Sequence, residues 1–149
     1  MPEPRDRMTR KADLLTALTA PAADVWVATA SPEAAPHLVP LSLAWIGDRA
    51  VIALDGGSVT ARNLGASGVA RLAVGPTRDV AMLDVVLERS AGVDDDASLG
   101  EAYAAQADWD PRGVPGYVFL VLRPTRIQAW RESNELAGRV LMRDGDWTV

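Results

Sequence analysis

The sequence predicts a mainly β domain: a small closed or split β-barrel of six or seven mostly antiparallel strands with two or three short helices. β-branched and aromatic runs recur from residue 24 to the C-terminus, and each run ends at a turn rich in Gly, Pro or Asp. Consecutive strands joined by short turns favour a barrel over a sandwich. The 149 residues contain no linker and no internal repeat, so we predict a single domain over residues 1–149.

The N-terminal segment predicts a short amphipathic helix with Thr9 as its N-cap. Leu14, Leu15 and Leu18 fall on one face of this helix. Basic residues before an apolar run are also typical of a signal peptide, but Asp13 and two threonines interrupt the run. No segment approaches the roughly 18 apolar residues of a membrane span. We therefore expect a cytoplasmic protein that does not enter a membrane.

The first half of the chain predicts four strands and a helix. The predicted strands cover residues 24–30, 36–46, 50–54 and 69–74. The first two form a hairpin, and a Gly47-Asp48 turn leads into the third. Ser58 is a good N-cap for a helix from Val59 to about Ala66, which ends at Ser67-Gly68.

The second half predicts longer strands, one helix and a terminal hairpin. The predicted strands cover residues 80–88, 117–122 and 127–130. Pro124 indicates that the last two belong to one strand that bends at an edge or a bulge. The alanine-rich residues 97–107 predict a surface helix. Residues 139–143 and 147–149 predict a hairpin around Asp144-Gly145.

The composition excludes several kinds of chemistry. The chain has no cysteine and one histidine, which excludes disulfides, thiolate nucleophiles, iron–sulfur clusters and the usual zinc sites. Lys11 is the only lysine, so a buried Schiff-base lysine has no candidate in the body of the chain. The net charge of −5 argues against nucleic acid or an anionic membrane as partner, because such binding needs a concentrated basic face. We expect a small-molecule substrate and no metal ion.

The segment most suggestive of binding, residues 55–64, follows the third strand. A glycine pair precedes Ser58, and the helix N-terminus behind it offers free N–H groups and a partial positive charge. Together with Thr60 and Arg62, these groups could hold a phosphate or a carboxylate. The alternative is ordinary helix capping beside a solvated arginine. The segment is not a Walker loop, because it has no Gly-Lys-Ser/Thr.

Three other features have both a functional and a structural interpretation. His37 begins the second strand and is either a site residue or a hydrogen-bonded structural one. Asp94-Asp95-Asp96 lacks the spacing of a calcium loop and is typical of a solvated bend. The five tryptophans are mainly core or interface anchors. Trp130, late in a strand beside Arg131, is also placed to flank a planar ring.

The first half of the chain contains two short motifs. The first is Pro36-His-Leu-Val-Pro40, and about twenty residues later comes the second, Gly57-Ser58-x-x-Ala61-Arg62-Asn63-Leu64. In this order and at this spacing, the two motifs resemble the pyridoxamine 5′-phosphate oxidase-like proteins. The similarity is greatest to the flavin and deazaflavin oxidoreductase branch of that family, and it extends from residue 24 to about residue 88.

The resemblance implies a split β-barrel homodimer with two cofactor sites at the subunit interface, each for FMN or coenzyme F-420. It places the isoalloxazine ring along the second strand and the cofactor phosphate beyond the end of the third. An aromatic residue of the partner chain, matched here by Trp130, would close the ring site. The residues so assigned to the cofactor are His37, Leu38, Val39, Pro40, Leu54, Asp55, Ser58, Val59, Thr60, Arg62 and Trp130. The implied activity is hydride transfer to or from a small conjugated substrate.

One departure from the family pattern bears on the cofactor. Members that hold FMN tightly usually carry Arg-Lys directly after Gly-Ser, where this chain has Val59-Thr60. Two lost cations remove charge-assisted hydrogen bonds worth about 1.5–3 kcal/mol each, and Arg62 is the only nearby replacement. Two alternatives to an oxidoreductase therefore stay open. One is a non-catalytic binding or carrier protein for FMN, F-420, haem or another tetrapyrrole, and the other is a dimeric structural or regulatory protein with a vestigial site.

Overall fold

The computed structural model describes residues 1–149 and contains nine β-strands in one sheet, three α-helices and a short 3-10 turn. The helices are α1 (Arg7–Thr19), α2 (Val59–Ser67) and α3 (Ala97–Ala107), and the 3-10 turn is Ser133–Glu135. The strands are β1 (Asp24–Ala30), β2 (Pro36–Ser42), β3 (Ala44–Ile46), β4 (Arg49–Asp55), β5 (Val69–Val74), β6 (Val80–Gly92), β7 (Tyr117–Trp130), β8 (Val140–Arg143) and β9 (Asp146–Trp147). No helix is both long and apolar enough to cross a membrane.

All neighbouring strands are antiparallel, in the order β2-β1-β5-β6-β7-β4-β3, and β8 and β9 extend from β7. β2 pairs only with β1, and β3 pairs only with β4, so hydrogen bonds do not close the sheet into a complete barrel. β2 and β4 nevertheless lie in contact across the opening, which we call the β2–β4 seam. The architecture confirms the predicted mainly β, split-barrel fold.

The sheet has nine strands rather than six or seven, partly because the apolar stretch 36–46 is not one strand. It divides at Leu43 into β2 and β3, which lie at opposite edges of the sheet. The Leu43 side chain is fully buried, and its N–H donates to the Ala23 carbonyl at 2.8 Å. The Trp45 N–H in β3 donates to Gln106 Oε1 of α3 at 2.7 Å. The sequence of residues 36–46 does not show where the chain crosses from one edge of the sheet to the other, because β2 and β3 are both largely apolar.

Capping residues set the helix ends. Ser58 Oγ accepts from the Ala61 N–H at 3.2 Å, and Gly68 ends α2 in the left-handed region with a φ of +75°. Both features were predicted. The predicted cap of α1 was wrong: Asp6, not Thr9, is the N-cap, and its Oδ1 accepts from the Thr9 N–H at 2.7 Å. A charged acceptor at the positive end of a helix is the stronger cap, so the helix begins before Thr9.

α3 has the predicted bounds, but it covers a second hydrophobic core rather than lying only at the surface. Tyr103 of α3 is fully buried and packs against Phe119 of β7, with ring centroids 5.2 Å apart. The Tyr103 hydroxyl accepts from Trp109 Nε1 at 3.2 Å and donates to the Ser42 carbonyl at 3.4 Å. Burial raises the pKa of Tyr103 above its usual value. The main core lies inside the barrel, beneath α1.

β6 and β7 form the longest strand pair, and β6 extends beyond its predicted end. Asp84 of β6 pairs with Arg126, but the next residue of β6 pairs with Pro124, so Thr125 is an extra residue in β7. This bulge was predicted from Pro124, which has no N–H to donate to the ladder. The terminal hairpin of β8 and β9 also forms around Asp144-Gly145 as predicted.

A buried ionic cluster holds the N-terminal segment on the barrel. The Glu135 side chain is 2% exposed and binds the Arg5 guanidinium as a bidentate pair at 3.1 and 2.9 Å. The backbone N–H groups of Arg5 and Arg131 also donate to this carboxylate at 2.9 Å, and Arg10 donates to the Glu135 carbonyl. The Arg5 guanidinium, more than any other donor, lowers the pKa of Glu135 from 4.5 to about 2.

Candidate functional site

Three segments that the sequence marked as site candidates meet around the β2–β4 seam. They are the first part of β2, the last residues of β4 and the first turn of α2. α2 contacts both β1 and β2, and β2 contacts β4. Asn63 Nδ2 of α2 donates to Thr29 Oγ1 of β1 at 3.1 Å in a buried hydrogen bond, and Thr29 lies directly opposite His37 in β2. The fold therefore brings all of the predicted site residues except Trp130 into one region.

β2 presents its predicted ring-binding residues to two different faces. His37 and Val39 pair with buried residues of β1, so both side chains face the barrel. Leu38 and Pro40 face outward, and Leu38 is 59% exposed. On the side away from β1, the β2 backbone has no strand partner. Its unpaired N–H and C=O groups along the seam are available to a ligand.

The turn from β4 into α2 is fixed by its own hydrogen bonds. Leu54 is buried in the main core, whereas Asp55 is exposed. Asp55 Oδ1 accepts from the Gly57 N–H at 2.8 Å, and the Gly56 N–H donates to the Gly116 carbonyl at 3.0 Å. The Asp55 carboxylate is thus used to shape the turn, and its negative charge lies close to the predicted phosphate position.

The first turn of α2 offers a small set of donors for an anion. The Ser58 Oγ is the cap acceptor, which leaves its hydroxyl proton free to donate. The N–H groups of Val59 and Thr60 have no acceptor within the chain. The Thr60 side chain is only 2% exposed, so this residue offers its N–H and not its hydroxyl. Arg62 is exposed and forms no salt bridge.

Trp130 lies away from the turn between β4 and α2 in its own chain. It ends β7 opposite Val80, whereas Asp55 pairs with Tyr117 at the beginning of β7. At about 3.3 Å per residue, the two ends of this strand are roughly 40 Å apart along the chain. Trp130 is therefore remote from the turn after β4, whereas the strand registers place it at the same end of the sheet as Pro40 of β2.

An exposed apolar surface on the outer face of β1 and β2 adjoins the candidate site. Trp26 is 49% exposed, and it lies directly opposite Pro40 in β2 and Ala73 in β5. These three residues line an open groove of about 600 Å³. The sequence grouped Trp26 with the other tryptophans, none of which is fully buried. Along β1, Trp26 alternates with the inward-facing valines, and this alternation predicts that the Trp26 side chain faces outward.

The acidic triplet contributes to the structure around α3. Asp96 is the N-cap of α3 and accepts from the Leu99 N–H at 3.0 Å, and it also pairs with Arg89. Asp94 accepts from the Gly113 N–H at 3.0 Å. No group of three or more His, Asp or Glu side chains is arranged to hold a metal ion.

No protein-family model and no curated protein matches this sequence. Solved structures do match its fold. An F420 reductase has a TM-score of 0.62 at 18% identity, over 75% of this chain and 93% of that one. A pyridoxamine 5′-phosphate oxidase-related, FMN-binding protein from Nostoc punctiforme has a TM-score of 0.59 at 18% identity, over 95% and 90% of the two chains. A heme binding protein from Mycobacterium smegmatis has a TM-score of 0.65 at 18% identity, over 91% of this chain and 57% of that one.

At 18% identity, these similarities establish the fold. The chain has the split-barrel fold of the pyridoxamine 5′-phosphate oxidase-like proteins, which confirms at the level of the fold the resemblance seen in the two sequence motifs.

Proposed function

We propose that the protein is a cytoplasmic oxidoreductase that binds FMN or coenzyme F-420 at the β2–β4 seam and transfers hydride to or from a small conjugated substrate. The observation that carries this proposal is the convergence of β2, the end of β4 and the first turn of α2. The solved structures that share this fold include an F420 reductase and an FMN-binding protein.

The first turn of α2 fits one phosphate group. The Ser58 hydroxyl, the N–H groups of Val59 and Thr60, and the Arg62 guanidinium combine the partial charge of a helix N-terminus with one full positive charge. Asp55 opposes this attraction from the same turn. Each charge-assisted hydrogen bond that a site with one cation does not form reduces the binding free energy by about 1.5–3 kcal/mol. We therefore expect a dissociation constant in the micromolar range.

The free edge of β2 fits the polar edge of a flavin-type ring. Its unpaired backbone groups can hydrogen-bond there, although Pro40 offers only a carbonyl. When bound, the cofactor supplies the hydride-transfer chemistry. The residues of this chain bind and orient the ring, and the barrel-facing side chains of His37 and Val39 keep water away from the inner side of β2.

We also propose a homodimer with a cofactor site between two copies. Trp26 and Leu38 are exposed on the outer face of neighbouring strands, and apolar surface of this kind marks an interface. A second copy would also bring its own Trp130 toward the seam. Size-exclusion chromatography with light scattering should show a dimer that Trp26→Ser weakens. A monomeric wild-type protein at assay concentration would overturn the dimer.

Titration with FMN and with coenzyme F-420 tests the cofactor assignment. We expect one of them to bind and Arg62→Gln to weaken that binding about ten-fold, through the loss of a charge-assisted hydrogen bond. Arg78→Gln is the matched control, because it removes the same charge from an exposed turn, where the Arg78 side chain pairs with Glu132. Binding of neither cofactor, or equal affinity of the two variants, would contradict the proposed site.

The second candidate function is a non-catalytic carrier of haem or another tetrapyrrole. Its support is the similarity to a heme binding protein and the presence of His37, half-buried in β2, since an imidazole is a common axial ligand of haem iron. A haem titration followed by the Soret band tests it. The carrier function predicts a shifted band that His37→Ala abolishes and Arg62→Gln preserves, together with retention of the ligand without turnover.

A further inference from the structure

Most arginines of this chain are paired with carboxylates, and those that are not are gathered mainly in one place. Nine of the fourteen arginines form a salt bridge. The five that form none are Arg7, Arg62, Arg126, Arg139 and Arg143. All of these except Arg62 line a single open groove beside β7, β8 and the start of α1, which we call the arginine groove.

The arginine groove is strongly positive within a negatively charged chain. It encloses about 610 Å³, and its other lining residues are Leu136, Gly138, Val140 and Thr148. No Asp or Glu lines it, although the whole chain carries a net charge of −5. Four like charges that share a groove repel one another, and a bound anion relieves this repulsion.

Two of the four arginines are held in position by neutral acceptors. Arg7 donates to the carbonyls of Gly138 and Val140 at 3.3 and 2.7 Å. Arg139 donates to Gln128 Oε1 at 3.0 Å and to the Leu136 carbonyl at 2.9 Å. Carbonyl and amide oxygens orient a guanidinium without neutralising its charge. Each guanidinium has five N–H donors. Arg7 also donates to the carbonyl and the hydroxyl of Thr148, so it keeps one free donor, and Arg139 keeps three.

The guanidinium groups of the other two arginines make no hydrogen bond within the chain and are free to bind. Arg126 lies opposite Asp84 across β6 and β7, but the Asp84 carboxylate is held by Arg71 at 2.6 and 3.2 Å. Arg143 lies opposite Asp146 in the terminal hairpin and forms no salt bridge with it. The groove therefore joins two oriented cations with two unengaged ones.

We propose that the arginine groove binds a linear polyphosphate chain. Guanidinium groups match phosphate oxygens with paired N–H donors, and several guanidiniums along one open groove suit several phosphates in a row. No aromatic side chain lines the groove, so nothing there stacks on a base. The phosphates alone are recognised, whether they belong to free inorganic polyphosphate or to the tail of a nucleotide. This site shares no residue with the candidate cofactor site.

Isothermal titration of the full-length protein with inorganic tripolyphosphate tests this proposal. We expect Arg126→Gln and Arg143→Gln each to weaken binding about ten-fold, and raised salt to weaken it further. Both side chains make no hydrogen bond within the chain, so the variants should keep the wild-type melting temperature. Arg78→Gln, which removes an equal charge from an arginine that does not line the groove and pairs with Glu132, should bind like the wild type.

ATP and citrate separate the sources and classes of anion. Equal binding of ATP and tripolyphosphate would support recognition of a phosphate chain that a nucleotide can supply, and weaker binding of ATP would support free polyphosphate. Citrate binding as tightly as tripolyphosphate would overturn the phosphate assignment. Preferential binding of single-stranded RNA would overturn it as well, and so would unchanged affinity in the double variant of Arg126 and Arg143.

Discussion

Replacing Glu135 by glutamine should destabilise the protein strongly at neutral pH and much less in acid. Glu135 is 2% exposed and its pKa is lowered from 4.5 to about 2, chiefly by the Arg5 guanidinium. At about 1.4 kcal/mol per pKa unit, this corresponds to about 3 kcal/mol of stabilisation of the charged form. Glutamine keeps the size and one acceptor oxygen but not the charge. Its cost at pH 7 should therefore be about 3 kcal/mol, as for other broken buried ion pairs.

The cost of this substitution depends on pH in a defined direction. Because the pKa of Glu135 is lower in the folded protein, its stabilising contribution is complete above pH 4.5 and is lost as the pH falls through about 2. At pH 3, proton linkage predicts that about 1.4 kcal/mol of this stabilisation remains. The difference in unfolding free energy between wild type and Glu135→Gln should therefore shrink from about 3 to about 1.4 kcal/mol. All other carboxylates are common to both proteins, so their titration largely cancels.

Urea unfolding followed by tryptophan fluorescence at pH 7 and pH 3, at equal ionic strength, measures this difference. Glu132→Gln is the matched control, since Glu132 pairs with the exposed Arg78. An exposed pair of this kind contributes at most about 1 kcal/mol. A cost of Glu135→Gln that is the same at both pH values would refute the ionic explanation. So would a cost at pH 7 no larger than that of Glu132→Gln.

Three further predictions test the fold. Leu43→Ala should lower the free energy of unfolding in urea by about 2–5 kcal/mol, because this fully buried side chain fixes the crossing between β2 and β3; a loss below about 1 kcal/mol would contradict its role. Gly68→Ala should lower the free energy of unfolding by about 1 kcal/mol, because alanine is strained at a φ of +75°. Gly65→Ala, inside α2, should instead stabilise the protein, and thermal melts of the two variants would show this difference. Asp6→Ala should lower the melting temperature and Thr9→Ala should not, and the reverse order would restore Thr9 as the cap.

Most helix and turn boundaries could be predicted because their causes are local. Ser58 and Gly68 bracket α2 as expected, and Pro124 produces a bulge because a missing N–H interrupts the ladder at that residue. The one failed cap has a local cause too: Asp6 lies three residues before Thr9 and competes successfully for the same helix N-terminus. The division of residues 36–46 was missed because it depends on which distant strands receive each half.

The pieces of the candidate site were visible in the sequence, but their arrangement was not. The motif residues of β2 and α2 could be named, yet the burial of the Thr60 side chain and the free edge of β2 follow from packing. The sequence also placed Trp130 beside a ring, and the topology shows that its own chain holds it at the far end of β7. Strand order alone decides this distance.

By itself the sequence determined the β-rich class, the turns, two of its three predicted helix caps (Ser58 and Gly68) and the lack of thiol and lysine chemistry. Each of these depends on residue type and on neighbours within a few positions. Only the tertiary structure decided that Glu135 is buried with Arg5, that Trp26 is exposed, and that four unpaired arginines share one groove. These features rest on contacts between residues far apart in the chain, such as Arg5 and Glu135, which are 130 positions apart. A local pattern carries no information about which distant charges will meet.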